Sequence, residues 1–198
     1  MESPLSRSEH TIVAIATAPG VGAIAVIRVS GKRAFEICDQ VFQSKRRQTI
    51  AATTSHTALF GTIVDGDDVI DEVLALVLKG PKSFTGEDTV EISCHGSTFI
   101  QNRIVNLVIR QGARSAAPGE FTLRAFINGK MELTEAEAVA DVIAAESEGA
   151  HRLAINQLRG GFAAELRNLR DKLIEFASLL ELELDFSEED VEFADRTR

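Results

Sequence analysis

The sequence predicts an α+β N-terminal domain followed by an all-α, partial helical bundle. Three observations predict it. Short β-branched runs separated by turn residues dominate the stretch up to Gly96. After Pro118-Gly119 the apolar residues recur at helical spacing. Near the end, Phe162, Leu166, Leu169, Leu173, Phe176 and Leu180 follow one another at alternating steps of four and three. The change of pattern divides the chain into a first domain over residues 1–118 and a second over residues 119–198.

In order along the chain, Thr11 to Ala18 is a short strand stopped by Pro19-Gly20. Ala23 to Ser30 is a second strand with nearly continuous apolar positions, the pattern of a strand covered on both faces. Arg28 interrupts it with a charge. Lys32 to Phe42 has helical spacing, with Ala34, Ile37, Cys38 and Val41 on one face. Thr57 to Val64 and Val69 to Leu78 flank Asp65-Gly66-Asp67-Asp68, a hairpin signal. Lys79 to Gly86 is a loop rich in turn residues. Thr89 to Cys94 alternates, with Val90 and Ile92 on one face and Thr89, Glu91 and Ser93 on the other. A helix runs from about Ser97 to Arg110 and another from Glu120 to Ile127.

The second half is helical. Thr134 and Glu137 have the spacing of a capping box, and Val139, Val142 and Ile143 supply the stripe of the helix it would start. A further helix covers about Ser147 to Arg159, and Gly160-Gly161 breaks the chain before the long seam. Three striped helices with no closing partner in the sequence predict an incomplete bundle. The acidic stretch Asp185 to Asp190 reads as a solvated linker.

Composition narrows the function classes. Hydrophobic residues make up 44% and charged residues 26% of 198, the balance of a folded globular chain. A net charge of −9 and a pI near 5.0 argue against capture of nucleic acid by a whole-molecule basic field. Cys38 and Cys94 form neither a CxxC pair nor a disulfide framework. The polar start (Glu2, Ser3, Ser6, Ser8, Glu9) lacks the pattern of a signal peptide, and no apolar run reaches membrane-spanning length, so the expected address is the cytoplasm. No GxxxxGK[ST] loop is present, and Gly20-Val21-Gly22 lacks the rest of a dinucleotide fingerprint. His10, His56, His95 and His151 are scattered. Cys94 and His95, as strand neighbours, face opposite ways, a poor geometry for one metal.

Three blocks carry a family resemblance: GVGAIAVIRVSG (Gly20 to Gly31), GPKSFTGEDTVEISCHG (Gly80 to Gly96) and APGEFTLRAFINGKMELTEAEAVADVI (Ala117 to Ile143). In this order and spacing they resemble the N-terminal signature of the MnmE (TrmE) family of tRNA-modifying GTPases, over nearly the whole chain from about Thr11 to near Asp190. The resemblance implies an α+β domain similar to the folate-binding domain of the glycine-cleavage aminomethyltransferase. It also implies a helical domain interrupted by an inserted Ras-like G domain. It further implies binding of 5-formyl- or 5,10-methylene-tetrahydrofolate, a homodimer through the N-terminal domain, and a flavoprotein partner, MnmG (GidA). With that partner a one-carbon-derived substituent is added to the wobble uridine of tRNA. The sequence stops about where the G domain would begin, so GTP, Mg²⁺ and K⁺ would be bound only by that further part, and GTP hydrolysis by this chain alone is unsupported. The alternative is a non-catalytic, folate-responsive dimerisation module.

Arg28, Glu91 and Lys130 match the family's folate contacts. Arg28, a charge in an apolar strand, needs an anionic partner. That partner is either an ordinary protein carboxylate or part of a folate site, ligand or anchoring carboxylate. Glu91 is either a solvent-facing strand residue or the acceptor for the two parallel N–H donors of a pterin ring. Lys130 either serves the end of the preceding helix or meets the ligand. Arg124 and Asn128 are further candidates for lining the same pocket, and the loop Ser83 to Asp88 is either a plain turn or a pocket wall.

Overall fold

The computed structural model describes residues 10–185, which fall into two compact units divided between Lys130 and Met131. In the first unit β1 (Ile12–Ile15), β2 (Ile24–Ser30), β3 (Phe42–Ser44), β4 (Thr57–Asp65), β5 (Asp68–Leu78), β6 (Thr89–His95) and β7 (Arg114–Ser115) form one sheet. Its order is β3-β4-β5-β6-β2-β1-β7. Neighbours pair antiparallel except β1 and β7, which run parallel.

Alternation along the strands decides which face becomes the core. Val29, Val90 and Val77 form one cross-strand row, Ile27, Ile92 and Ala75 the next, and Ala25, Cys94 and Val73 a third. All nine are buried. Ile37 and Cys38 of α1 (Ala34–Asp39) and Ile104, Leu107 and Val108 of α2 (Thr98–Arg110) complete the same cluster. Each such aliphatic side chain contributes about 1.5–3 kcal/mol by leaving water.

β2 corrects the expectation of a strand covered on both faces. Its core-facing positions are buried, but Ile24 is exposed and Val26 and Arg28 are only half-buried, because no helix of the described residues spans the whole opposite face. The apolar residues on that side form an open row instead: Ile24, Val26, Leu74 and Phe60. The first helix is also shorter than its spacing predicted. It stops at Asp39, whose carboxylate accepts the backbone N–H groups of Ile50 and Ala51 at 2.6 and 3.1 Å, and Phe42 already belongs to β3. The hairpin turn is as read, with Asp65 opposite Asp68 across Gly66-Asp67.

α3 (Glu120–Ile127) belongs to the first unit, so the compact units divide twelve residues beyond the change of pattern at Pro118-Gly119. Helical periodicity marks where the pattern changes, whereas the division follows contacts, and Arg124 of α3 bonds to His10 and Glu87.

The second unit contains α4 (Leu133–Ala144), α5 (Glu148–Leu158) and α6 (Gly161–Asp185), with α5 packed against both others. The capping box is formed by Glu132 and Glu135, not by Thr134 and Glu137. The helix begins two residues earlier than expected, which puts Thr134 in its first turn. Ser147 caps α5 by accepting from Ala150 N. Leu166, Leu169, Leu173 and Phe176 of the seam are exposed, as a partial bundle requires. The side chain of Phe162, the acidic stretch from Phe186 onward and the polar residues before His10 lie outside the described residues.

Candidate functional site

Arg28 and Glu91 are direct cross-strand partners on β2 and β6. Two nitrogens of the Arg28 guanidinium, Nε and Nη2, both stand 2.8 Å from one oxygen, Glu91 Oε1. The side chains retain 24% and 23% of their exposure. The rings of Phe84 and Phe121 approach the guanidinium carbon, with centroids at 5.2 and 5.4 Å, within cation–π range. Glu91 Oε2 accepts from no described residue. The arrangement is a carboxylate held in orientation by one cation, with its second oxygen open to a further donor.

Lys130 reaches the same neighbourhood through the end of α3. Gly129, at φ +67°, turns the chain into the left-handed region. Its N–H then donates to Phe126 O and that of Lys130 to Ala125 O, the two bonds of a Schellman cap. The Lys130 ammonium donates to Pro81 O at 2.9 Å. Its stem runs so close to Gly86 that a Cβ there would meet Lys130 Cγ at 3.2 Å. Lys130 thus touches the 80–88 loop and makes no hydrogen bond to Arg28 or Glu91; the loop that carries Phe84 connects the three.

That loop is bound at several points. Thr85 Oγ1 and Ser30 Oγ are 2.7 Å apart, and Ser30 Oγ donates to Glu87 Oε2 at 2.9 Å. Ser83 Oγ donates to Glu87 O, and Asn128 Nδ2 to Thr85 O at 2.7 Å. Arg124, 2% exposed, donates to both Glu87 oxygens, to Glu120 and to His10 O. Arg124 was expected to line the pocket; it is instead buried behind it. Asn128 lines a different space, a cavity of about 470 Å³ with Lys32, Gly80, Gly86, Glu87 and Asp88. Gly80, Gly86, Glu87 and Asp88 of the loop thus border this cavity. Arg28, Glu91 and Lys130 are not among the residues facing that cavity.

Glu120 is held ionised within this network. Burial pushes its carboxyl upward, but hydrogen bonds from Arg114, from the Ala117 N–H and from Arg124 outweigh that and bring it down to about 2. Sequence reasoning missed Glu87, Glu120 and Phe121. Glu120 and Arg124 share the i,i+4 spacing of a helical ion pair, a signal available in the sequence. Nothing local marked Glu87, whose partner lies 37 residues away.

Other chemistry finds little support. Burial raises both thiols, Cys94 to about 11 with a further push from Asp71 and Cys38 higher still. Neither is a ready nucleophile. His95 binds Asp71 through Nδ1 at 2.7 Å, and among the described residues no group of three or more His, Cys, Asp or Glu side chains could hold a metal. No described helix is long and apolar enough to cross a membrane.

Comparison with known proteins bears directly on this arrangement. Residues 11–130 match the family described as GTP-binding protein TrmE N-terminus, and residues 133–198 match the MnmE helical domain. The chain is similar to the tRNA modification GTPase MnmE of Flavobacterium psychrophilum, with 58% identity over 95% of this chain and 41% of the relative. It is also similar to that of Cytophaga hutchinsonii, with 59% identity over 98% of this chain and 42% of the relative. A third, from Parabacteroides distasonis, is 58% identical over 94% of this chain and 41% of its own length. The chain spans about two fifths of the length of these relatives. With an α+β unit followed by a helical unit, matched over residues 11–130 and 133–198, the chain belongs to the MnmE (TrmE) family.

Proposed function

We propose that this chain is the folate-binding and dimerising part of a tRNA-modifying GTPase, and that Arg28, Glu91 and Lys130 hold the folate. The observation that carries the reading is the Arg28–Glu91 pair. Arg28 occupies only one carboxylate oxygen, so Glu91 keeps an acceptor for the amino group and ring N–H of a pterin. Arg28 then acts chiefly on Glu91, keeping it charged and aimed. Lys130 supplies a cation beside the loop for the anionic or polar end of the ligand. The bound 5-formyl- or 5,10-methylene-tetrahydrofolate supplies the one-carbon unit; the residues of this chain bind and orient it.

Family membership supports the reading of the remaining partners. GTP, Mg²⁺ and K⁺ belong to a G domain, and MnmG and tRNA to the assembled complex acting in the cytoplasm. The homodimer is supported by the open apolar row of Ile24, Leu74 and Phe60, a surface suited to a second copy. A purely folate-responsive dimerisation module is the second reading, favoured by the lack of any activated nucleophile or metal cluster among the described residues.

Calorimetric titration of this chain with 5-formyltetrahydrofolate, with GTP as control ligand, tests the proposal. Folate binds and GTP does not. Glu91→Ala weakens folate binding by about a hundredfold, since a paired, charge-assisted contact is lost, while the association state is unchanged. Equal affinity in the folded variant would remove Glu91 from the site.

A further inference from the structure

We infer that Arg124 and Glu87 are positioning residues that lock the 80–88 loop into its ligand-ready shape. The inference rests on the folate reading for what the loop is ready to bind, and on this chain's own contacts for the lock.

The loop needs an external tether. It carries Phe84 to the Arg28 guanidinium and offers Pro81 O to Lys130, so two of the three proposed contacts depend on its path. Several of its polar groups form short-range bonds within it, such as Ser83 Oγ to Glu87 O, Glu87 N to Thr85 Oγ1 and Gly80 N to Asp88 Oδ1. Besides Lys130 at Pro81 O and the Gly31 N–H at Asp88 O, its hydrogen bonds to the rest of the unit converge on Glu87 and Thr85. Glu87 takes Ser30 from the strand side and Arg124 from the helix side; Thr85 takes Ser30 and Asn128.

Arg124 is built for one geometry. Its guanidinium is almost fully buried and, among the described residues, divides its planar fork among three segments: Glu87 on the loop, Glu120 one helical turn back, and His10 O ahead of β1. A buried ion pair is weak evidence for stability in itself, since an apolar replacement of the same volume often serves as well. What a fork gives and an apolar residue does not is a fixed angle between three segments. Here that angle sets where residues 84 and 86 stand relative to β2 and to Lys130. Arg124 and Glu87 reach the ligand only through the loop.

Hydrogen–deuterium exchange of the chain, read over residues 79–90, is paired with calorimetric titration by 5-formyltetrahydrofolate. Glu87→Gln leaves Arg124 its bonds to Glu120 and His10 O, so the unit stays folded even where Arg124→Gln does not. In Glu87→Gln, exchange in the loop rises about tenfold while β4 and β5 keep parent rates, and folate affinity falls about tenfold. Arg124→Lys recovers part of both, because an ammonium still pairs with Glu87 but without the fork. Unchanged loop exchange in Glu87→Gln overturns the lock. A loosened loop with parent affinity overturns the positioning role. If the parent chain binds no folate, the folate reading falls and takes the positioning role with it, while the exchange data still decide whether Glu87 and Arg124 hold the loop.

Discussion

At the scale of single residues, charge placement organises the first unit. Glu120 shows how this can be read by acid. Its carboxyl sits near 2, against an ordinary value of 4.5. A carboxylate depressed in the folded state adds stability above its unfolded value, and that stability is lost as pH falls through the folded one. The expected outcome is a loss of about 3 kcal/mol of unfolding free energy between roughly pH 4.5 and 2, measured by urea titration at stepped pH. Glu120→Gln should flatten that part of the profile. An equally steep profile in the variant would mean other carboxylates govern acid unfolding. Arg28 was legible as a charge needing a partner because its strand is otherwise apolar. That its partner would be Glu91 was not legible, since register between β2 and β6 is set by the whole sheet and not by either strand. Lys130 could be placed from Asn128-Gly129, a helix-ending signal, but its contact with Pro81 spans 49 residues.

Among the elements, strands with clean alternation, such as β6, and the helix ending at Asn128-Gly129 matched their sequence patterns closely. Two elements were misread for different reasons: α1 ends early because a tertiary contact turns Asp39 to another segment, whereas α4 begins at a different local box, Glu132–Glu135, in preference to Thr134. The 80–88 loop had no period at all, and its path comes from what is packed on it. Gly86 is constrained in two ways. At φ +78° a side chain is strained, and a Cβ would also press on Asn128 and Lys130 at 3.2 Å. Gly86→Ala should therefore lower stability by about 1–2 kcal/mol. Folate affinity should fall along with it. Thermal melts and titration read the two effects separately, and a variant as stable and as tight-binding as the parent would show that the loop adapts freely.

For the whole molecule, the acidic balance and the exposed apolar row point in different directions. A net charge of −9 keeps copies apart at long range, whereas Ile24, Leu74 and Phe60 favour contact at short range. If that row joins two copies, the parent sediments at twice the 21.5 kDa chain mass and Leu74→Glu sediments as a monomer with an unchanged circular dichroism spectrum. A dimer that survives Leu74→Glu would move the interface elsewhere. The two-part organisation was readable from sequence because hydrophobic period changes from two to 3.6 along the chain. The position of the division was not, because α3 is tied to the first unit by Arg124, a long-range bond that periodicity does not register.

The parallel pairing of β1 with β7 carries a consequence in time. Ile12 waits for Arg114, and the tether on Glu87 waits for Arg124, so on a ribosome the first strand made is among the last to gain its outer neighbour. The antiparallel hairpin from Thr57 to Leu78 can form as soon as it emerges, and α2 soon after β6. Contacts of such long sequence separation form slowly. The 80–88 loop is thus tethered only once nearly the whole first unit has been synthesised, and a partly made chain presents its sheet before that loop is held.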